Sequence, residues 1–244
     1  MVRKLKYNLF VQARTGSSRL KNKILKKICG RSLIEIFLER AKKIKKVDKI
    51  VTLLPDTEKN SALKKILKKK RINYILGSET NVLKRFYKAS TNFPSDFIIR
   101  VTSDCPIFDK TIVEKLIRIA QSKKYDYLSN VNPPTFPDGM DVEIFSSKLL
   151  KYCFLKAKNI SDKEHVTPLM RRLKNVKKYN LKNKIDLSNY RLTVDYKEDL
   201  TLINNIYKYF KPNKNFSYRE VLNVNSKKKQ EWFKINNMHK RKIV

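Results

Sequence analysis

The chain alternates short apolar runs with longer stretches in which apolar residues recur every three or four positions. Leu9 to Val11, Ile50 to Leu54, Tyr74 to Leu76 and Phe97 to Val101 are apolar runs bounded by polar residues, the pattern of buried strands. Between and after them, Ile34, Phe37, Leu38 and Ala41, then Ala62, Leu63, Ile66 and Leu67, then Ile112, Val113, Leu116, Ile117 and Ala120 each fall on one face of a 3.6-residue period and predict helices. Asp109 stands where it can cap the last of these. Units of this kind, repeated, predict an α/β fold with a mostly parallel sheet and helices on both faces. Ligands of such sheets bind beyond the carboxyl ends of the strands. The segments leaving the first and fourth runs, QARTGSSR and TSDCP, are therefore the candidate ligand-binding loops.

After residue 130 the pattern changes. A turn-rich stretch, NPPTFPDG, precedes Val142 to Phe145, which alternates like a strand with one polar face. Ser161 and Glu164 have capping-box spacing for a helix carrying His165, Met170, Arg171 and Arg172. Arg191 to Val194 reads as one more strand. No Ser- or Gly-rich linker interrupts the chain. Residues 1–215 are accordingly read as one domain, with 131–190 a small inserted lobe for acceptor recognition or dimer contacts. Residues 216–244 form a basic tail anchored by Trp232 and Phe233 with loose final residues.

The first loop surrounds Thr15, Gly16, Ser17 and Ser18 with Arg14, Arg19 and Lys23, so backbone N–H groups and fixed cations can meet a polyphosphate. Neither a P-loop lysine motif nor a dinucleotide fingerprint is present, and the alternative is a solvated basic turn. Asp104, after the fourth run, and Asp195, after Val194, could hold Mg²⁺ against phosphate oxygens. Asp195-Tyr196-Lys197-Glu198 also fits a helix N-cap. Asp138 and Asp141 either serve their turn or accept bonds from substrate hydroxyls. His165 is a base, a ligand for an acidic substrate, or structural.

Composition narrows these choices. Fifty-seven Lys and Arg against 22 Asp and Glu give a net charge of +35, which raises a nucleic-acid-binding protein without catalysis as the alternative function. The lysines are spread over almost every predicted helix, however, and there are only four glycines where average usage gives roughly 17, so compositional bias accounts for the surplus without a specific nucleic acid. Three widely spaced cysteines, Cys29, Cys105 and Cys153, form neither a disulfide framework nor a metal pattern and favour a cytoplasmic protein. The short apolar run at the start is followed by Arg14, which argues against a signal peptide, and no run is long enough to span a membrane.

The stretches VQARTGSSRL, GSETNVLKRFYKA, IIRVTSDCPIFD, FPDGMDVEIF, EHVTPLMRR and LTVDYKEDL, in that order from Val11 to Leu200, resemble the SpsF-type cytidylyltransferases of spore coat polysaccharide synthesis, within the wider group of CMP-sialate and CMP-Kdo synthetases. The resemblance implies a Rossmann-like, GT-A-like nucleotidyltransferase. It would move CMP from CTP to an acidic sugar or similar acceptor, releasing pyrophosphate, for surface polysaccharide or glycan biosynthesis. It implies that Arg14, Arg19 and Lys23 hold the triphosphate, that Gly16 and Ser17 lie against the nucleotide, that backbone near Ala13 reads the cytosine edge, and that Arg85 is close by. Asp104 and Asp195 would bind Mg²⁺, Asp138, Asp141, His165 and Arg172 would face the acceptor, and catalysis would depend on Arg14, Lys23 and Asp104. A homodimer is also implied. The chain departs from the family pattern at Lys21-Asn22, commonly Pro-Gly, at Ser103, commonly Gly, and at Cys29-Gly30-Arg31-Ser32, commonly Gly-Gly-Lys-Pro.

Overall fold

Strand β1 (Tyr7–Gln12) sits centrally and is buried on both sides. Its side chains alternate, so Tyr7, Leu9 and Val11 enter one apolar cluster and Phe10 enters the other. The computed structural model describes residues 4–122, 124–213, 215–227 and 231–239. The expectation of loose final residues falls largely on 240–244, outside that set.

The strands that follow are β2 (Lys27–Ile28), β3 (Arg31–Ser32), β4 (Lys49–Pro55), β5 (Asn73–Gly77), β6 (Phe97–Thr102), β7 (Tyr127–Ser129), β8 (Glu143–Ser146) and β9 (Lys178–Asn180). The helices are α1 (Leu33–Ala41), α2 (Ser61–Lys69), α3 (Val82–Asn92), α4 (Lys110–Ser122), α5 (Ser147–Lys156), α6 (Ile160–His165), α7 (Pro168–Arg172), α8 (Lys197–Tyr209) and α9 (Tyr218–Lys227). β2 and β3 form a small hairpin. The others make one sheet in the order β5-β4-β1-β6-β8-β7-β9, in which β8 alone runs against its neighbours. The expected mostly parallel sheet with helices on both faces is the observed fold. The larger apolar cluster includes residues of α1, α2, α4, α8 and α9, and the smaller includes residues of α3, α5 and α7. Among the described residues no helix is long and apolar enough to cross a membrane.

The chain leaves β1 toward β4 and β5 on one side and returns to β6 on the other. That reversal opens a crevice at the carboxyl ends of β1 and β6, where doubly wound sheets bind ligands. The loop after Gln12 and the turn at Ser103-Asp104 border it. Asp109 caps α4 as expected, its Oδ1 accepting from the Thr111 N–H at 2.8 Å.

Two local expectations are corrected. Arg191 to Val194 is not a strand: Arg191 makes one isolated bridge to Asp138, and the Val194 N–H donates to the Asp104 carbonyl at 2.9 Å. Its backbone groups are satisfied by two turns rather than a ladder. The helix expected through His165 to Arg172 is broken into α6 and α7 at Val166, which has φ 70° and is bracketed by a Thr167 N–H to His165 carbonyl bond of 2.8 Å, a γ-turn. Asn159, not Ser161, precedes α6 as its N-cap.

The 138–141 turn is pressed against the 190–193 segment, with the Asp138 N–H donating to the Tyr190 carbonyl and the Leu192 N–H donating to the Asp138 carbonyl, both at 2.8 Å. Gly139 makes this possible: its φ is +99°, and a Cβ there would stand 2.8 Å from the Thr193 nitrogen. Gly139→Ala should lose about 2 kcal/mol or more, from left-handed backbone cost plus displaced main chain. Urea denaturation measures it, and unchanged stability would refute the close approach.

Candidate active site

The loop after β1 is fixed to the β4–α2 connection. Thr15, almost fully buried, has Oγ1 within reach of two acceptors for its one proton, the Lys59 carbonyl at 3.0 Å and Asn60 Oδ1 at 2.9 Å, while Asn60 Nδ2 donates to the Pro55 carbonyl. Ser17 Oγ accepts from the Leu20 N–H, and the Ala13 N–H is already given to the Leu53 carbonyl. Thr15 and Ser17 are thus occupied in shaping the loop. Asn22, in the left-handed region at φ 54°, begins the short turn that carries Lys23 inward. Asparagine tolerates that conformation, which is how the chain manages without the family's glycine there. Cys29 likewise takes a positive φ, whereas Ser103 does not.

Lys23, 8% exposed, ends between two carboxylates: its Nζ donates to Asp104 Oδ2 and Asp195 Oδ1, both at 2.6 Å. Arg19 reaches Asp195 Oδ1 at 2.8 Å. From the far side Arg191 donates to Asp195 Oδ2 at 2.8 Å, Asp138 Oδ2 at 2.6 Å and Asp199 Oδ1 at 3.0 Å. Four carboxylates therefore meet three cations. Burial alone would raise the Asp104 carboxyl, but the Lys23 ammonium beside it wins and holds it at about 2. Burial would likewise lower Lys23, and Asp104 and Asp195 together raise it instead. Asp195 is also held below its ordinary value, burial being overcome chiefly by Lys23.

The capping alternative for Asp195 fails. Asp199 does that work, its Oδ2 accepting from the Asp195 and Tyr196 N–H groups at 2.9 and 3.0 Å. The Asp195 side chain is left for the cations. Among the described residues no three His, Cys, Asp or Glu side chains converge as a metal site. Asp104 and Asp195 nevertheless converge on one cation position, and carboxylates outnumber cations in the network. Mg²⁺ is commonly held by one or two carboxylates plus substrate phosphates and water, so this donor set fits it when nucleotide oxygens complete the shell.

A second cationic group lies across the crevice. Arg85, on α3, is 2% exposed, and its Nε and Nη1 are buried without a hydrogen-bond partner. Burial, reinforced by Arg14 and opposed by Glu79, lowers its guanidinium to about 10, so it remains charged at neutral pH. Gly16 faces Glu79 closely enough that a Cβ would stand 3.4 Å from its Oε1. The β1 loop and the β5–α3 connection thus oppose each other around a buried positive charge.

The expected acceptor residues divide. Asp138 joins the network through Arg191, and Asp141 and Asp138 both help raise the thiol of Cys105, which burial pushes up first. Cys105 is therefore a protonated packing residue. Arg172 is taken up by a two-pronged pair with buried Asp162 at 2.9 and 2.8 Å, which ties α7 to α6. His165 belongs to a separate group with Arg100, Arg171 and Glu143 on the α3 side of the sheet. Burial, aided by Arg100 and opposed by Glu164, keeps its imidazole below the usual value. Sequence reading missed Arg191, Asp199 and Asn236. The first two sit four residues either side of Asp195, a usable signal. Asn236 Nδ2 donates to Asp199 Oδ1 at 2.8 Å from the far end of the chain, with no local pattern to mark it.

Comparison with known proteins shows the family. A family model described as cytidylyltransferase matches residues 9–236. An uncharacterised protein of Methanocaldococcus jannaschii is 34% identical over 203 residues, covering 82% of each chain. The spore coat polysaccharide biosynthesis protein SpsF of Bacillus subtilis is 30% identical over 205 residues, 81% of this chain and 84% of that one. Among solved structures, a cytidylyltransferase from Leptospira borgpetersenii superposes with a TM-score of 0.89 at 28% identity, covering 98% of this chain and all of the other.

The Asp104 carboxyl yields a stability prediction. Its folded pKa of about 2 lies below the ordinary 3.8, so it adds stability above pH 4 that disappears as pH falls toward 2. The difference is worth about 2 kcal/mol. Lys23→Met removes the opposing charge, so that variant should be less stable at pH 7 and should lack this acid limb. Denaturant melts from pH 2 to 7 measure both, and identical limbs would show that Lys23 does not govern Asp104.

Proposed function

The chain belongs to the cytidylyltransferase family, and on that premise we propose that it transfers the cytidylyl group of CTP to an acidic sugar or similar acceptor, releasing pyrophosphate, in surface polysaccharide or glycan biosynthesis. The observation that carries the reading is Arg85. A guanidinium buried with two nitrogens unpartnered costs free energy in the free protein, because buried donors lose water and gain nothing. Beside Arg14, at the open end of β1, it calls for an anion such as a nucleotide triphosphate. The relative named for spore coat polysaccharide synthesis supports the pathway class, and the acid group of the acceptor is the complement to a cationic crevice.

In this reading an acceptor oxygen attacks the α-phosphorus, the bond from that phosphorus to the β-phosphate oxygen breaks, and the acceptor hydroxyl proton is released. Such a step needs positioning and charge neutralisation more than covalent help from the protein. Arg14 and Arg85 grip the phosphates from one wall, and Arg19 and Lys23 from the other. In the same reading the backbone near Ala13, just after β1, reads the cytosine edge, and Gly16 and Ser17 line the phosphates. Asp104 and Asp195 would hold Mg²⁺, which when bound neutralises phosphate charge and aligns the leaving group. The ion pairs keep both aspartates ionised at neutral pH, ready for that role. In the same reading Asp138, paired with Arg191, faces the acceptor.

Pyrophosphate release with CTP and a panel of acidic sugars tests the activity, and no release with any of them would count against this acceptor class. Two variants test the site. Arg85→Met removes an uncompensated buried charge, so the free protein should keep or gain stability while CTP affinity falls more than tenfold, the value of about 1.5–3 kcal/mol for a charge-assisted bond. Asp195→Asn leaves the Asp199 cap in place, so turnover should fall by orders of magnitude for reasons other than helix loss. Calorimetry showing wild-type CTP affinity in Arg85→Met would remove Arg85 from the nucleotide site.

A further inference from the structure

A cavity of about 660 Å³ opens between the 134–138 turn, the 188–191 segment and the carboxyl-terminal stretch 233–239. It falls within the roughly 300–1,000 Å³ usual for small-molecule sites. Its lining sets it apart from the rest of a chain carrying a charge of +35. Three other surface cavities are each lined by three or more lysines or arginines. Among the described residues its lining has no lysine, and the one arginine there, Arg191, is matched by Asp138, Asp195 and Asp199. The rest of that described lining includes the carboxamides of Asn189, Asn236 and Asn237, the Ser188 hydroxyl, Tyr190 packed edge-on against Phe233 with ring centroids 4.8 Å apart, and His239, which meets Glu198 at 3.0 Å.

That lining is poorly suited to phosphate and well suited to hydroxyl groups. A carboxamide both donates and accepts, so neighbouring amides can answer the mixed donor and acceptor pattern of adjacent hydroxyls. Aromatic edges supply apolar contact for the carbons that bear them. The cavity also communicates with the catalytic network. Asp138 and Arg191 form part of its wall, and Arg191 donates directly to Asp195. Asn236, another wall residue and only 2% exposed, donates to Asp199, which fixes the Asp195 main chain. His239, also in the wall, stacks on Tyr196 at 3.7 Å with an interplanar angle of 5°, and the Arg19 guanidinium lies 5.2 Å from the same ring.

We propose that this cavity receives the polyhydroxylated body of the acceptor, and that the carboxyl-terminal segment is therefore part of the substrate site. The proposal rests on the cytidylyl-transfer reading. It assigns hydroxyl recognition to Asn189 and Asn237, and leaves the acidic group of the acceptor to the neighbouring cations. It also makes Asn236 a positioning residue for Asp195 through Asp199.

The test is saturation-transfer NMR on the full chain with CTP present, using Kdo and N-acetylneuraminate as acidic polyol probes. Wild type should transfer saturation to protons on the hydroxyl-bearing carbons of at least one probe. Asn237→Trp, which fills the cavity from an exposed position, should weaken that binding at least tenfold while CTP affinity stays within twofold and the melting temperature is unchanged. Asn189→Trp closes the opposite wall and should do the same, which guards against a folding defect in either variant. Undiminished transfer in both variants overturns the proposal, as does no transfer to either probe by wild-type protein that binds CTP. Failure of wild type to bind CTP overturns the underlying reading, and this site with it.

Discussion

The pairing of every charge that leaves water with an opposite one is the constraint on which the site depends. Lys23, Arg19 and Arg191 are drawn together with Asp104, Asp138, Asp195 and Asp199 at the edge of the sheet, several of them largely removed from water. Taking ions out of water costs several kcal/mol each, and their attraction offsets this only with close geometry and further hydrogen bonds. The network meets that demand by recruiting every element nearby. The β1 loop gives two cations, the turn after β6 one carboxylate, the 138 turn another, and the approach to α8 the rest. The carboxyl-terminal segment adds a neutral donor, Asn236. Loss of one member strands the others.

Arg85 follows the opposite logic. It is buried, charged and left with open donors, so the free protein carries a cost there that only a ligand can relieve. One wall of the crevice has its charges paired within itself and the other does not. An anion entering between them gains most from the unpaired wall, while the paired wall keeps its aspartates ionised. Preorganised charge of this sort does not have to reorganise during reaction, the usual source of electrostatic catalysis.

The fold was legible because both of its signals are local. Apolar runs such as Ile50 to Leu54 mark strands buried on two faces, and the 3.6-residue spacing of Ile112 to Ala120 marks a covering helix. Arg19, Lys23, Asp104, Asp138 and Asp195 were legible as a set, since a family pattern preserves charged residues across distant segments. What sequence could not reveal was occupancy. The pair of Arg172 with Asp162 has no local pattern to announce it, and Asp195 looks like a cap until Asp199 is found in that role. The break at Val166 escaped because a β-branched residue at positive φ is held there by packing, not by local preference.

The charge of +35 has to be weighed at two ranges. Beyond about 8–10 Å it is screened by salt at physiological strength, so lysines dispersed over the helices act on association with anions more than on affinity. Around Lys23 alone the count is reversed, because four carboxylates meet three cations there. A basic surface around a locally acidic centre attracts nucleotide and acidic acceptor alike, yet leaves a place at the reacting phosphate that a further cation can fill. The excess lysine therefore says little about chemistry, whereas the few buried charges, set against it in sign, define where the chemistry occurs.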